Sequence, residues 1–239
     1  MGNATGKRYN RRVNDAAETG QKFDHYADDY GQLVDDSLRA SGEASDYFSL
    51  YKLACLDRLG IGPDVPMLDY GCGVGTLTTH LAARYPRIEG FDPSTKSIEV
   101  ARTRLPGVQF HTEPSSVPDS AFGAAIVSGV LHHVPKAERP GLLEVLRTKL
   151  APGGKVVIFE HNPWNPVTRK AIASCPFDDD AVLLWPAELR RLVRGAGFSD
   201  VRLDYIVFFP RPLAPLRRFE PRLNWLFLGA QTMTVASRR

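Results

Sequence analysis

From Pro63 onward, short β-branched runs alternate with helical stretches, and this alternation restricts the fold more than any other feature of the chain. VPMLDY reads as a strand, GTLTTHLAARY as a helix, RIEGFD as a strand and STKSIEVARTRL as a helix. GVQFH and AAIVSGVL are further strands, KAERPGLLEVLRTKL a helix and KVVIFE a strand. AELRRLVRGAG is the last helix before the closing strands VRLDYIVF and QTMTVA. Strands separated by helices build βαβ units around a mainly parallel sheet. AAIV and KVVIF are apolar on both faces, as strands covered by helices on both sides must be. The expected class is α/β, doubly wound. A chain of 239 residues, 43% hydrophobic and 24% charged, can bury such a core without a disulfide or metal staple. Cys55, Cys72 and Cys175 are few and scattered, which fits a reducing compartment. No apolar run approaches the ~18 residues of a membrane span, so a cytoplasmic protein is expected.

Ahead of the sheet, residues 1–20 lack periodicity and are expected to be flexible. Gln21 to Ala40 places Phe23, Tyr26, Tyr30, Leu33 and Val34 near helical spacing, and a second helix is predicted from Asp46 to Leu59. Two connections are too long for simple crossovers, at about 161–186 and 210–229, and long insertions in an α/β core often carry function. The formal net charge of +3 is too mild to argue for nucleic acid. It is also uneven, because residues 187–239 hold ten Arg against four acids.

The sharpest motif is LDYGCGVGTL, Leu68 to Leu77, between a predicted strand and helix. Gly71, Gly73 and Gly75 allow positive φ and close approach of a ligand. A dinucleotide fingerprint would need a third glycine where Thr76 stands, which argues against NAD. Asp69 at the strand tip would repel a pyrophosphate but suits a cofactor with a cationic amino group. About twenty residues on, Asp92 ends the next strand, where an acid can accept bonds from ribose hydroxyls. Glu113, after the third strand, is placed to meet an adenine.

These residues resemble a known family. LDYGCGVG resembles the first motif of the class I S-adenosylmethionine-dependent methyltransferases, and GFDPS their ribose-binding acid. AFGAAIVSGVLHHVP resembles their fourth strand and following turn, and LAPGGKVVIFE the turn into the fifth; together these cover about residues 64–160. The resemblance implies a seven-stranded sheet with an antiparallel last strand. It also implies a helical lid over 21–60, which FDHYADDY resembles, above a core at 61–239. It places Gly71 and Gly73 at the methionine moiety with Asp69, Asp92 at the ribose and Glu113 at the adenine end. Tyr26, Cys72, Pro93 and Ser128 complete the expected cofactor-binding set. The cofactor implied is S-adenosyl-L-methionine, leaving as S-adenosyl-L-homocysteine. One departure is Gly123, which stands where the family usually has Asp.

Methyl transfer is an in-line displacement that needs alignment, exclusion of water and sometimes removal of a proton. Candidate bases lie past strands four and five: His133, and Glu160 with His161. Tyr30, His132, Asn162, Trp164, Asn165 and Arg169 are candidates for binding the acceptor. The plain alternatives are that the LHHV turn packs its helix, Arg169 pairs at the surface and the tyrosines anchor their helix. No Asp/Asn cluster of ligand character follows strands four and six, so no metal is expected. The leading reading is O-methylation of a small-molecule hydroxyl or carboxyl, in secondary-metabolite or saccharide biosynthesis, by a monomer or homodimer. Transfer to nitrogen or carbon, a catalytically silent cofactor-binding protein and nucleic-acid modification are the alternatives.

Overall fold

Seven strands form one sheet in the computed structural model, which describes residues 20–38 and 42–239. They are β1 (Met67–Tyr70), β2 (Ile88–Phe91), β3 (Gln109–His111), β4 (Phe122–Ser128), β5 (Leu150–His161), β6 (Phe198–Ile206) and β7 (Gln231–Arg238). The order is β3-β2-β1-β4-β5-β7-β6, with β7 antiparallel between β5 and β6 and the other pairings parallel. The sheet is therefore the doubly wound one expected, with the antiparallel strand last. Residues 1–19 of the segment expected to be flexible lie outside the described residues.

The helices are α1 (Tyr30–Leu38), α2 (Ser45–Arg58), α3 (Thr76–Arg84), α4 (Thr95–Arg104), α5 (Arg139–Lys149), α6 (Pro166–Ala173) and α7 (Pro186–Gly195). Alternation along the strands divides the core between the two faces. Leu68, Val127 and Ile158 join Leu143 and Leu146 of α5 on one side, while Met67, Ile126 and Val157 join Leu81 of α3 and Leu56 of α2 on the other. Strand order reverses between β1 and β4, so a crevice opens at their carboxyl ends, the usual ligand position in open α/β sheets. None of the helices among the described residues is long and apolar enough to cross a membrane.

Three local departures have physical causes. The helix expected over 21–40 breaks into a helical turn at 20–24, non-helical turns and α1. Asp24 is held there by tertiary bonds, accepting from Ser94 Oγ (2.6 Å) and the Lys96 N–H (3.1 Å). The Arg-rich insertion forms a 3₁₀ segment at Arg211–Arg222, where Pro215 and Pro221 remove the N–H groups an α-helix would need. At Gly123 a Cβ would lie 2.7 Å from Val65 Cγ1, so close packing beside the register shift in β4 excludes the family's Asp.

The turn after β1 depends on two glycines in different ways. Gly71 (φ 81°) would put a Cβ 2.3 Å from Val130 Cγ2, whereas Gly73 (φ 52°) has nothing within 4 Å of a built Cβ. Gly71→Ala should therefore destabilise by about 3 kcal/mol, from left-handed strain plus overpacking, and Gly73→Ala by only about 1 kcal/mol, from strain alone. Urea unfolding checks this. Equal losses would mean that Val130 yields freely.

Candidate active site

Two cavities of about 190 and 210 Å³ meet at the carboxyl ends of β1 and β4. Tyr30, Gly71, Gly73, Ser128, Gly129 and His133 line both, so the two are halves of one crevice. The first half is walled by Tyr70, Phe91, Pro114, Val134 and Leu142, with Asp92, Pro93 and Ser97 beside them. The second half holds Lys52, Asp69, Cys72, His132, Glu160, His161 and Asp178.

Asp92 organises the glycine turn. Its Oδ2 accepts from the Gly73 N–H (2.8 Å) and its Oδ1 from the Ser94 N–H (2.9 Å). Burial pushes its carboxyl up to about 6 against those bonds. Asp69 is also raised to about 6 by burial, while the Thr78 hydroxyl donates to its Oδ2 at 2.7 Å. Lys52 of α2 lines the same half, its ammonium lowered to about 8 by burial and pulled back by Asp69. A carboxylate and an ammonium in one cavity complement the two ends of an amino-acid head group. With the open face of Gly73 and a largely apolar half beyond Asp92, these residues fit a nucleoside that carries a free amino-acid head group, such as S-adenosyl-L-methionine.

A buried ionic network borders the second half. Glu160 Oε1 accepts from the Leu131 N–H (2.8 Å) and Oε2 from His132 Nδ1 (2.7 Å). Asp178 Oδ1 lies 3.7 Å from His132 Nε2 and 3.2 Å from His133 Nε2. Burial lowers the His132 imidazole, but Glu160 and Asp178 outweigh it and raise the group to about 9. Burial opposes the charges of Glu160 and Asp178, yet the His132 cation, with its bond to Glu160 and with His133 also close to Asp178, holds both carboxyls below their usual range. His161, edge-on to His132 with ring centroids 4.9 Å apart, is driven down to about 4 by burial and that cation. His133 is lowered by burial and by His132, so it is neutral at pH 7. Its Nδ1 is buried without a hydrogen-bond partner.

Ligand atoms of His132, His133 and Asp178 lie within 4.8 Å of one another, close enough to share a cation. Protonated His132 lies between the two carboxylates and offsets one of their two negative charges.

The other expected site residues stand elsewhere. Asn162 is fully buried and donates to the carbonyls of Phe227 and Gly229 (both 2.7 Å). Asn165 caps α6 by accepting from the Thr168 N–H (3.0 Å) and donates to the Leu228 carbonyl (2.7 Å). Trp164 and Arg169 are exposed outside both cavities. Glu113 is exposed beside the lining residue Pro114. Tyr26 packs edge-on against Phe177 rather than entering the crevice. Asn162 and Asn165 thus serve backbone carbonyls and a helix end that would otherwise lack partners. Lys52, Asp178 and Phe23 are functional candidates the sequence reading missed. The lone cation in YFSLYKLACL was a signal for Lys52, but nothing in DDD singled out Asp178.

The ionic network makes stability depend on pH in a definite direction. His132 is raised in the folded state, so its contribution is complete below its ordinary value of about 6.5 and fades as pH rises through about 9. Up to about 3 kcal/mol of stability should be lost across that window, and Glu160→Gln should flatten the loss. Chemical denaturation at a series of pH values measures it. A flat wild-type profile above pH 7 would contradict a charged His132.

Comparison with known proteins agrees with this geometry. A methyltransferase-domain family model matches residues 38–203. A trans-aconitate 2-methyltransferase from Methylobacterium nodulans is 36% identical over 157 residues, covering 61% of this chain and 57% of that enzyme, so the match spans little more than half of its length. A demethylmenaquinone methyltransferase from Beutenbergia cavernae is 29% identical, covering 72% of this chain and 84% of its own. A solved SAM-dependent methyltransferase from Thermotoga maritima, 19% identical, superposes with a TM-score of 0.66 over 92% of this chain and all of that one. Matched over more than half its length, with a glycine turn, strand-end acids and sheet order that fit, this chain belongs to the methyltransferase-domain family, whose class I members use S-adenosyl-L-methionine.

Proposed function

We propose that the protein transfers a methyl group to an oxygen of a small-molecule acceptor, with His133 as the general base. One observation carries the reading. His133 lines both halves of the crevice with Nδ1 buried and without a hydrogen bond, while Asp178 Oδ1 lies 3.2 Å from Nε2 and Asp180 Oδ1 4.0 Å from Nδ1, at ion-pair rather than hydrogen-bond geometry. Asp178 is the nearer of the two carboxylates, so it favours the tautomer protonated on Nε2, with the Nδ1 lone pair left to accept a proton. Burial and the His132 cation keep the ring neutral, the form that accepts a proton.

S-adenosyl-L-methionine, when bound, supplies an electrophilic methyl on a sulfonium sulfur. Lys52 and Asp69 bind the carboxylate and amino group of its head, Asp92 takes the ribose hydroxyls, and the walls at Tyr70, Phe91 and Leu142 hold the base. As the acceptor oxygen gains the methyl, its proton passes to Nδ1 of His133. Glu160 is bonded to protonated His132 and held below its usual range, so it is a positioning residue for His132 rather than a base. Neutral His161 offers the acceptor a hydrogen bond. Phe23 stands edge-on over His133 (5.0 Å) and Tyr30 stacks on Phe177 (5.1 Å), so these rings exclude water from the reacting centre.

Labelled S-adenosyl-L-methionine, offered with an acceptor panel and read by mass detection, tests the activity and the atom methylated. His133→Gln should lower kcat about 100-fold or more with cofactor affinity unchanged, and Asp178→Asn should lower it less. Asp92→Ala should instead weaken cofactor binding, seen by calorimetry. Wild-type turnover in His133→Gln would remove the base from the mechanism, and a methylated amine or carbon in the product would overturn the oxygen assignment.

A further inference from the structure

All three tryptophans of the chain stand at the surface: Trp164, Trp185 and Trp225 are 54%, 48% and 73% exposed. Trp164 meets Trp185 edge-on at 4.9 Å and Phe227 at 6.2 Å, and Phe227 and Leu228 are themselves half exposed. The insertion after β5, the start of α7 and the loop before β7 thus join in one aromatic patch. Large exposed apolar patches mark interaction sites.

The patch is held in shape. Asn162 and Asn165 grip the carbonyls of Phe227, Leu228 and Gly229, and the Trp225 indole donates to the Arg222 carbonyl at 3.1 Å. A Cβ at Gly229 would lie 2.6 Å from the Ile206 carbonyl oxygen, so the end of this loop is pressed against β6.

Charge on the same segments selects the partner. Arg169, Lys170, Arg211, Arg218 and Arg222 are exposed. Two acids of these segments turn inward, Glu188 meeting buried Arg139 at 3.4 Å and Glu220 accepting from the Phe208 and Phe209 N–H groups, while the exposed Asp179 and Asp180 pair with Lys22. Indole and phenyl rings beside arginines suit the headgroup layer of an anionic bilayer, where the rings enter the boundary and the cations meet lipid charge. A second copy fits poorly, because a two-fold contact would set this cationic surface against itself.

We propose that the Trp164–Trp185–Phe227 patch, with Trp225 on the same loop as Phe227 and the exposed arginines of these segments, docks the protein peripherally on anionic lipid bilayers. Because all three tryptophans are exposed on these segments, intrinsic fluorescence reads the docking directly. The full chain is mixed with phosphatidylcholine vesicles and with mixed phosphatidylcholine–phosphatidylglycerol vesicles, then followed by emission and cosedimentation. Blue-shifted emission and cosedimentation on the anionic vesicles, much weaker on phosphatidylcholine alone, are expected. Arg218→Gln with Arg222→Gln should weaken partitioning roughly 30-fold. Trp225→Ala with Phe227→Ala should also weaken it, while a thermal melt shows each variant folded. Three results would overturn the proposal: no binding to anionic vesicles at low salt, binding indifferent to loss of the two aromatics, or lipid-free self-association that Trp225→Ala abolishes.

Discussion

The carboxylate of Glu160 ties the candidate site together. It sits at the end of β5, 2% exposed, with one oxygen on the Leu131 N–H and the other on His132. An unpaired buried carboxylate costs several kcal/mol, so the turn after β4 cannot leave β5 without exposing that cost. Through His132 the same charge reaches Asp178, and through Asp178 the imidazole of His133. The insertion that carries Asp178 is bound once more to that turn and once to α5. The Val182 N–H donates to the His132 carbonyl (2.8 Å), and buried Arg139 donates to the Val182 carbonyl (2.6 Å).

Above this fixed layer the cover is held by weaker forces. Phe23, Tyr26 and Tyr30 converge on the single ring of Phe177, and Lys22 reaches Asp179 and Asp180 at 2.6 and 2.5 Å. Aromatic pairs contribute about 1 kcal/mol each, and pairs with exposed acids such as these less than about 1 kcal/mol. The division suits a transferase. In the function proposed above, the base and its carboxylate would stay in place while a cover held this weakly would lift to admit an acceptor and release product.

The sequence made the sheet legible because strand and helix periods differ and the glycine turn has a fixed context. Asp69, Asp92, Gly73 and His133 were readable for the same reason: each sits at a strand end that the alternation locates. Lys52 and Asp178 were not. Both come from outside the alternating core, and which side chain of a helix or a run of acids faces a crevice is decided by packing between distant segments. The break in the 21–40 helix was hidden likewise, since Asp24 is held by Ser94 and Lys96, some seventy residues away.

The asparagines teach the opposite lesson. Polar residues clustered past a strand end look like ligand contacts, and in NPWNP they sit beside an aromatic. Yet the loop before β7 turns several carbonyls toward β5, where no strand can pair them, and buried carbonyls require donors. Asn162 and Asn165 are those donors, so their chemistry is structural although their place is functional. Their neighbours in the chain divide accordingly. His161 before them and Asp178 after them face the crevice, while Trp164 between them faces outward. The connection from β5 to α7 must therefore serve the crevice, the sheet edge and the surface in turn, and that requirement accounts for its length better than any single role.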